Sequence, residues 1–181
     1  MKEKITEEIK KSVEVLRSGG VILYPTDTIW GLGCDATNEA AVKKVYDIKQ
    51  RTETKSMLVL IDSPAKLQAY VTEIPEMAWE LIELTTNPLT IVYPGARNLA
   101  PNLIGDDQTI GIRVTEEPFS KKLCEMFRKP IVSTSANVSG TKSPAFFDEI
   151  AGEIIQAVDY VVNFRRDEKT PAKASSIIML G

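Results

Sequence analysis

Apolar residues first recur at helical spacing, at Ile5, Ile9, Val13 and Leu16, and Gly19-Gly20 ends the run. This spacing predicts an amphipathic helix. VILYP follows as a buried strand that Pro25 terminates, and WGLGCDA as a second short strand. Thr37 or Asn38 then caps a helix through EAAVKKVYDIKQ. MLVLID is an apolar strand, and Ser63-Pro64 begins the next helical stretch. Pro75 opens a helix over PEMAWELIEL, and LTIVYPG is a strand closed by a Pro-Gly turn. A loop rich in Asn, Pro and Gly runs from Gly95 towards Asp107. After it TIGIRV alternates as a strand, EPFSKKLCEMFRK is an amphipathic helix, and PIVSTSA is a strand that enters a polar loop. FFDEIAGEIIQAV is helical, and YVVNF and SSIIML are the last strands.

About seven strands interleaved with helices predict a layered α+β domain, a three-layer α/β/α arrangement around a mixed sheet. Several strands are apolar on both faces, so helices are expected on both sides. The early strands look hairpin-like and the later ones cross over. No repeat, low-complexity tract or linker interrupts the pattern, so residues 1–181 are expected to form a single domain.

Composition changes this picture mainly by exclusion. No apolar run approaches the roughly 18 residues of a membrane span. The N-terminal MKEKITEEIKKSVEVLRSGG has neither a signal-peptide apolar core nor an Arg-rich transit pattern, and a cytoplasmic, non-membrane protein is expected. A formal net charge of -3 argues against a protein that coats nucleic acid. Cys34 and Cys124 form no metal-type spacing and are expected as buried free thiols. The chain has no histidine, which excludes a Ser-His-Asp triad, a Cys-His pair and a His-ligated zinc.

Four stretches carry candidate chemistry. In IKQRTETK, Lys49, Arg51 and Lys55 lie at a helix end. They either complement the helix dipole in solvent or form an anion site, a point charge beside a planar fork. VSTSANVSG either satisfies its own backbone or presents hydroxyls and an amide to a ligand. Ser135 and Asn137, two apart, would share one face of an extended segment. Arg113, on the apolar TIGIRV strand, is either an edge residue or an inward cation that needs an anion. Pro25-Thr26-Asp27-Thr28 is a turn at the end of a buried strand, with Asp27 either capping it or facing a site. Neither a Walker A loop nor GxGxxG is present.

Taken in order, GGVILYPTDTIWGLGCDA, IKQR and STSANVSG resemble the YrdC-like threonylcarbamoyl-AMP synthases, over nearly the whole chain from Gly19 to the SSII strand. The family's Lys-x-Arg and Ser-x-Asn tetrad is intact as Lys49, Arg51, Ser135 and Asn137. The resemblance implies a YrdC/RibB-like twisted mixed sheet around a concave cavity. It implies a nucleotidyltransferase that makes threonylcarbamoyl-AMP from L-threonine, bicarbonate or carbon dioxide, and ATP with Mg²⁺. The product serves threonylcarbamoyladenosine formation in tRNA, through partner proteins of the tRNA-modification pathway. By the same resemblance, Lys49 and Arg51 face the triphosphate, Ser135 and Asn137 hold the nucleotide, and Thr109 touches ATP. Thr26, Lys55, Ser133 and Ser175 line the threonine site, with Arg113 pairing the threonine carboxylate.

This sequence departs from the family in loops. Thr52 replaces the Pro after Lys-x-Arg, Ser56-Met57 replaces Pro-Leu, and TTNPLT keeps only the Pro-Leu-Thr of a longer motif. Ala174-Ser175-Ser176 stands for Pro-Ser-Thr. These changes remove loop rigidity rather than charge. The alternative class is an RNA-binding module of the same fold, or a paralogue with another substrate. The net charge and the absence of an aromatic stacking stripe weigh against RNA binding.

Overall fold

The computed structural model describes residues 2–50, 57–169 and 176–179. The chain opens with α1 (Lys2–Arg17), whose Ile9, Val13 and Leu16 are buried as their spacing requires. Strands β1 (Ile22–Tyr24) and β2 (Gly31–Gly33) form an antiparallel pair joined by the Pro25–Trp30 turn. Then come α2 (Glu39–Lys49), β3 (Leu58–Ile61), a 3₁₀ turn, α3 (Glu76–Leu84), β4 (Leu89–Tyr93), a second 3₁₀ turn and β5 (Ile110–Val114). The chain continues through α4 (Pro118–Phe127), β6 (Ile131–Ser135), a third 3₁₀ turn, α5 (Gly152–Ala157), β7 (Tyr160–Val161) and β8 (Ser176–Met179).

Among the described residues the eight strands make one mixed sheet, in the order β7-β1-β2-β6-β3-β5-β4-β8. The expectation of about seven strands is therefore met with one more. Strand β3 runs parallel to β5 and antiparallel to β6. Every residue of β1 and β2, and Val59, Leu60 and Ile61 of β3, is buried. Successive strand residues point to opposite faces, so the middle of the sheet is covered on both sides.

Local boundaries differ from the sequence pattern in physically simple ways. Asn38, not Thr37, caps α2: its Oδ1 accepts the Ala41 N–H at 3.1 Å. Thr37 instead donates its hydroxyl to Asp35 Oδ1 at 2.6 Å. The stretch after Ser63 is 3₁₀ rather than α, and FFDEIAGEIIQAV divides into a 3₁₀ turn and the short α5. Cys34 and Cys124 are buried and unpaired, and burial pushes both thiols well above their ordinary pKa. Neither is therefore a thiolate nucleophile. No described helix is long and apolar enough to cross a membrane.

Glu8 of α1 is a buried carboxylate that fastens the sheet edge. It accepts the Tyr160 hydroxyl and the Asn163 N–H, each at 2.6 Å. Gly33 marks a close approach: a Cβ there would lie 2.5 Å from the Tyr24 ring and 3.0 Å from the Val132 carbonyl oxygen. Gly33→Ala is expected to cost about 1–3 kcal/mol through overpacking. A lower urea midpoint with an unchanged slope would display this. An unaltered midpoint would mean that Tyr24 moves aside freely.

Candidate functional site

Helix α2 ends where the candidate chemistry begins. Gln50 takes a left-handed conformation (φ 54°) and donates its N–H to the Asp47 carbonyl at 3.1 Å. Lys49 is thus the last helical residue, and its carbonyl accepts the Ser139 N–H at 2.8 Å. Its ammonium, on a residue only 2% exposed, lies among oxygens of the β6 loop. These are Ser135 O at 2.7 Å, Asn137 O at 2.9 Å, Asn137 Oδ1 at 3.1 Å and Ser135 Oγ at 3.3 Å. Ser135 donates its hydroxyl to Asn137 Oδ1 at 2.5 Å, and Asn137 Nδ2 donates to Thr141 O at 2.7 Å. Three of the expected tetrad, Lys49, Ser135 and Asn137, therefore meet. The fourth, Arg51, lies outside the described residues, as do Lys55 and Ser175. The expectation for Lys49 is a contact with the triphosphate; among the described residues its ammonium meets these loop oxygens, the kind of acceptors a buried cation needs.

Strand register places the other candidates. Arg113 is opposite Leu60, and Leu60 is opposite Ile131. Ser133 and Ser135 follow Ile131 at intervals of two, so Arg113, Ser133 and Ser135 project from one face of the sheet. Gly31 opposes Ser135, and a Cβ on it would lie 3.5 Å from Ser133 Oγ and 3.6 Å from Thr26 Cγ2. Thr26 and Ser133 therefore both border Gly31. Thr109 stands apart: it donates its hydroxyl to Asp107 at 2.6 Å. It precedes Arg113 by four residues, about 13 Å along an extended strand.

The Pro25–Trp30 turn is closed by its own polar groups. Thr26 donates its hydroxyl to the Ile29 carbonyl at 2.6 Å and accepts the Thr28 N–H at 3.1 Å. The Ser120 hydroxyl, on α4, donates to the Pro25 carbonyl at 3.1 Å. Arg113 meets Asp27 in an ion pair, Nη2 to Oδ1 at 2.9 Å, both side chains being largely buried. Asp27 Oδ1 meets no other donor among the described residues. Arg113 Nε likewise has no hydrogen-bond partner. Burial raises the Asp27 carboxyl above its ordinary pKa, and the Arg113 charge opposes that rise.

A cavity of about 420 Å³ lies against this turn. Thr26, Asp27 and Trp30 form one wall, and Thr85 to Leu89, Ile112 and Val114 form another. Ile112 and Val114 alternate with Arg113, so the cavity occupies the face of β5 opposite the Arg113 side chain. Lys49, Ser135 and Asn137 do not line it; the turn separates the two regions and belongs to both. Among the described residues no group of three or more Cys, Asp or Glu side chains is placed to hold a metal ion.

Two residues that sequence reasoning passed over hold the turn from outside. Arg165, itself left-handed at φ 62°, reaches the Thr26 carbonyl at 3.4 Å and Glu117 Oε1 at 3.0 Å. Glu117 in turn caps α4 by accepting the Phe119 and Ser120 N–H groups at 3.2 and 2.7 Å. In sequence Arg165 is one charge in FRRDEK, with no periodicity to single it out.

The sequence profile of the Sua5/YciO/YrdC family, described as telomere recombination, matches residues 14–181. The chain belongs to this family. It is 37% identical over 158 residues to the threonylcarbamoyl-AMP synthase of Pseudoalteromonas translucida (strain TAC 125), spanning 86% of this chain and 84% of that protein. Among solved structures it is similar to P. abyssi Sua5 complexed with L-threonine, with a TM-score of 0.84 at 28% identity. That match covers 95% of this chain but 50% of the Sua5 chain. E. coli YciO matches with a TM-score of 0.80 at 26% identity, covering 95% of this chain and 83% of YciO. The mixed sheet expected from the resemblance is present, and its fold is shared with these relatives.

The ammonium of Lys49 supports the β6 loop directly. Lys49→Met keeps the stem but leaves buried carbonyls short of a donor, which should cost about 1–3 kcal/mol. A melting temperature equal to that of the parent protein would contradict this support.

Proposed function

We infer that this chain is a threonylcarbamoyl-AMP synthase, an enzyme of the nucleotidyltransferase class. It condenses L-threonine, bicarbonate or carbon dioxide, and ATP to threonylcarbamoyl-AMP and pyrophosphate, for threonylcarbamoyladenosine formation in tRNA. The observation that carries the inference is the 37% identity, over 86% of the chain, to an enzyme of that name. Two features support it: the chain keeps Lys49, Arg51, Ser135 and Asn137, and the first, third and fourth of these meet in the fold.

The chemistry suits a protein without histidine. The threonine amine captures carbon dioxide as a carbamate, a carbamate oxygen attacks the α-phosphorus in line, and pyrophosphate leaves. No covalent enzyme intermediate is needed; positioning and charge stabilisation suffice. In this reading Arg51 contacts the phosphates, and Lys49 acts on them from behind the Ser135–Asn137 loop that it holds. Mg²⁺, arriving with ATP as part of the substrate, would supply positive charge to the pyrophosphate oxygens. Thr26 and Ser133, which both border Gly31, contact the amino acid, and Arg113 pairs its carboxylate. The adenylate then passes to the proteins that modify tRNA.

Purified protein supplied with L-threonine, bicarbonate, ATP and Mg²⁺ should release pyrophosphate in a threonine-dependent manner. Arg51→Ala and Lys49→Ala should each reduce this at least about 100-fold, the scale of a lost charge-stabilising group. Folded protein that neither makes the adenylate nor binds ATP would overturn the proposal.

A further inference from the structure

Resting on the reading above, we infer that Arg165 is a positioning residue for the amino-acid end of the site: it holds the Thr26 peptide and so governs L-threonine binding but not ATP binding. Its guanidinium faces three acceptors. Nη1 donates to the Thr26 carbonyl at 3.4 Å and to Glu117 Oε1 at 3.0 Å, while Nε and Nη2 donate to Glu168 at 2.8 and 3.0 Å. The contact with the carbonyl is long for a hydrogen bond, but the group that makes it is fixed from several sides. Glu117 is itself held by the Phe119 and Ser120 N–H groups at the start of α4. Phe164, next to Arg165 in the chain, stacks on Phe119 with ring centroids 5.7 Å apart. The Arg165 segment is thereby docked on the first turn of α4.

That helical turn also supplies Ser120, whose hydroxyl donates to the Pro25 carbonyl at 3.1 Å. Pro25 and Thr26 carry successive carbonyls, and the supports of both converge on Glu117. Because peptide units are planar, anchoring two successive carbonyls fixes the backbone at Thr26 and with it the direction of its side chain. The Thr26 hydroxyl is engaged within the turn, and its methyl group borders Gly31, as Ser133 Oγ does. Loosening the turn therefore displaces a residue that contacts the amino acid in the proposed reaction. Arg165 also acts on Asp27: burial raises that carboxyl, and Arg113 and, more weakly, Arg165 oppose the rise. The nucleotide end has its own supports, since Lys49, Ser135 and Asn137 hold one another. Loss of Arg165 should thus reach one substrate and spare the other.

Pyrophosphate release, measured with L-threonine and ATP varied in turn, tests this. Arg165→Ala should raise KM for L-threonine about 10-fold, the scale of one lost charged hydrogen bond. KM for ATP should stay within about 2-fold of the parent value. Arg165→Lys keeps a cation that can reach both the Thr26 carbonyl and Glu117, so it should recover most of the threonine affinity. Arg165→Met, which keeps the apolar stem, reads the same two constants if the alanine variant fails to fold. A KM for threonine that does not change, or equal rises for both substrates, would overturn the role. So would a lysine variant as impaired as the alanine one, because packing rather than the polar tie would then be at stake. If the parent protein made no adenylate, the proposed function would fall and this role with it. An active parent whose Arg165 variants bind threonine normally would remove only the role.

Discussion

Lysine ammonium groups are seldom buried, because the loss of hydration outweighs most of what a protein interior returns. Lys49 is buried nonetheless, and its position is the constraint around which the candidate site is arranged. Its stem leaves the last turn of α2, and its charge is met by carbonyl and side-chain oxygens of Ser135 and Asn137. A helix end and a strand end that are distant in sequence are thereby fixed together. The Ser139 N–H to the Lys49 carbonyl adds a second tie at the same junction. The loop after β6 is thereby tied at two points, and such ties serve the preorganisation that charge-stabilising catalysis requires.

The same principle operates at the Pro25–Trp30 turn, with different groups. Thr26 closes the turn from inside, while Ser120 and Arg165 hold its carbonyls from outside. Glu117 couples these supports, since it caps α4 and pairs with Arg165 at once. Asp27 is left to answer the charge of Arg113 across the sheet. The turn is thus a wall shared by a cavity and a polar face, and its rigidity comes from side chains supplied by three other parts of the chain.

A histidine-free enzyme of this kind places its chemistry in geometry. The proposed reaction asks the protein for no nucleophile and no redox group. It asks for two small substrates and a nucleotide held in line, with charge nearby. Both cysteines are buried with raised pKa, so the thiols stand outside that scheme. Hydroxyls, one amide, two arginines and a lysine are the available tools, and the fold gathers the described ones along one face and one turn.

Much of the architecture is legible in the chain itself. Helical spacing at Ile9, Val13 and Leu16, and the apolar runs of β1 and β3, fix element types, because burial of a face imposes its period on the sequence. The order of PTDT, Lys-x-Arg and Ser-x-Asn gives the family before any fold is known. Other facts arise only when distant segments meet. Sequence cannot show how far Lys49 turns its ammonium into the β6 loop, since two of its four acceptors there are backbone carbonyls, which every residue has. Nor can it pair Arg113 with Asp27, or bring Arg165 under Thr26, because no period or spacing links them. Residue types and their local pattern determine which elements form. Register and packing across the sheet decide which charges face one another, because those contacts depend on strand order, a property of the whole chain.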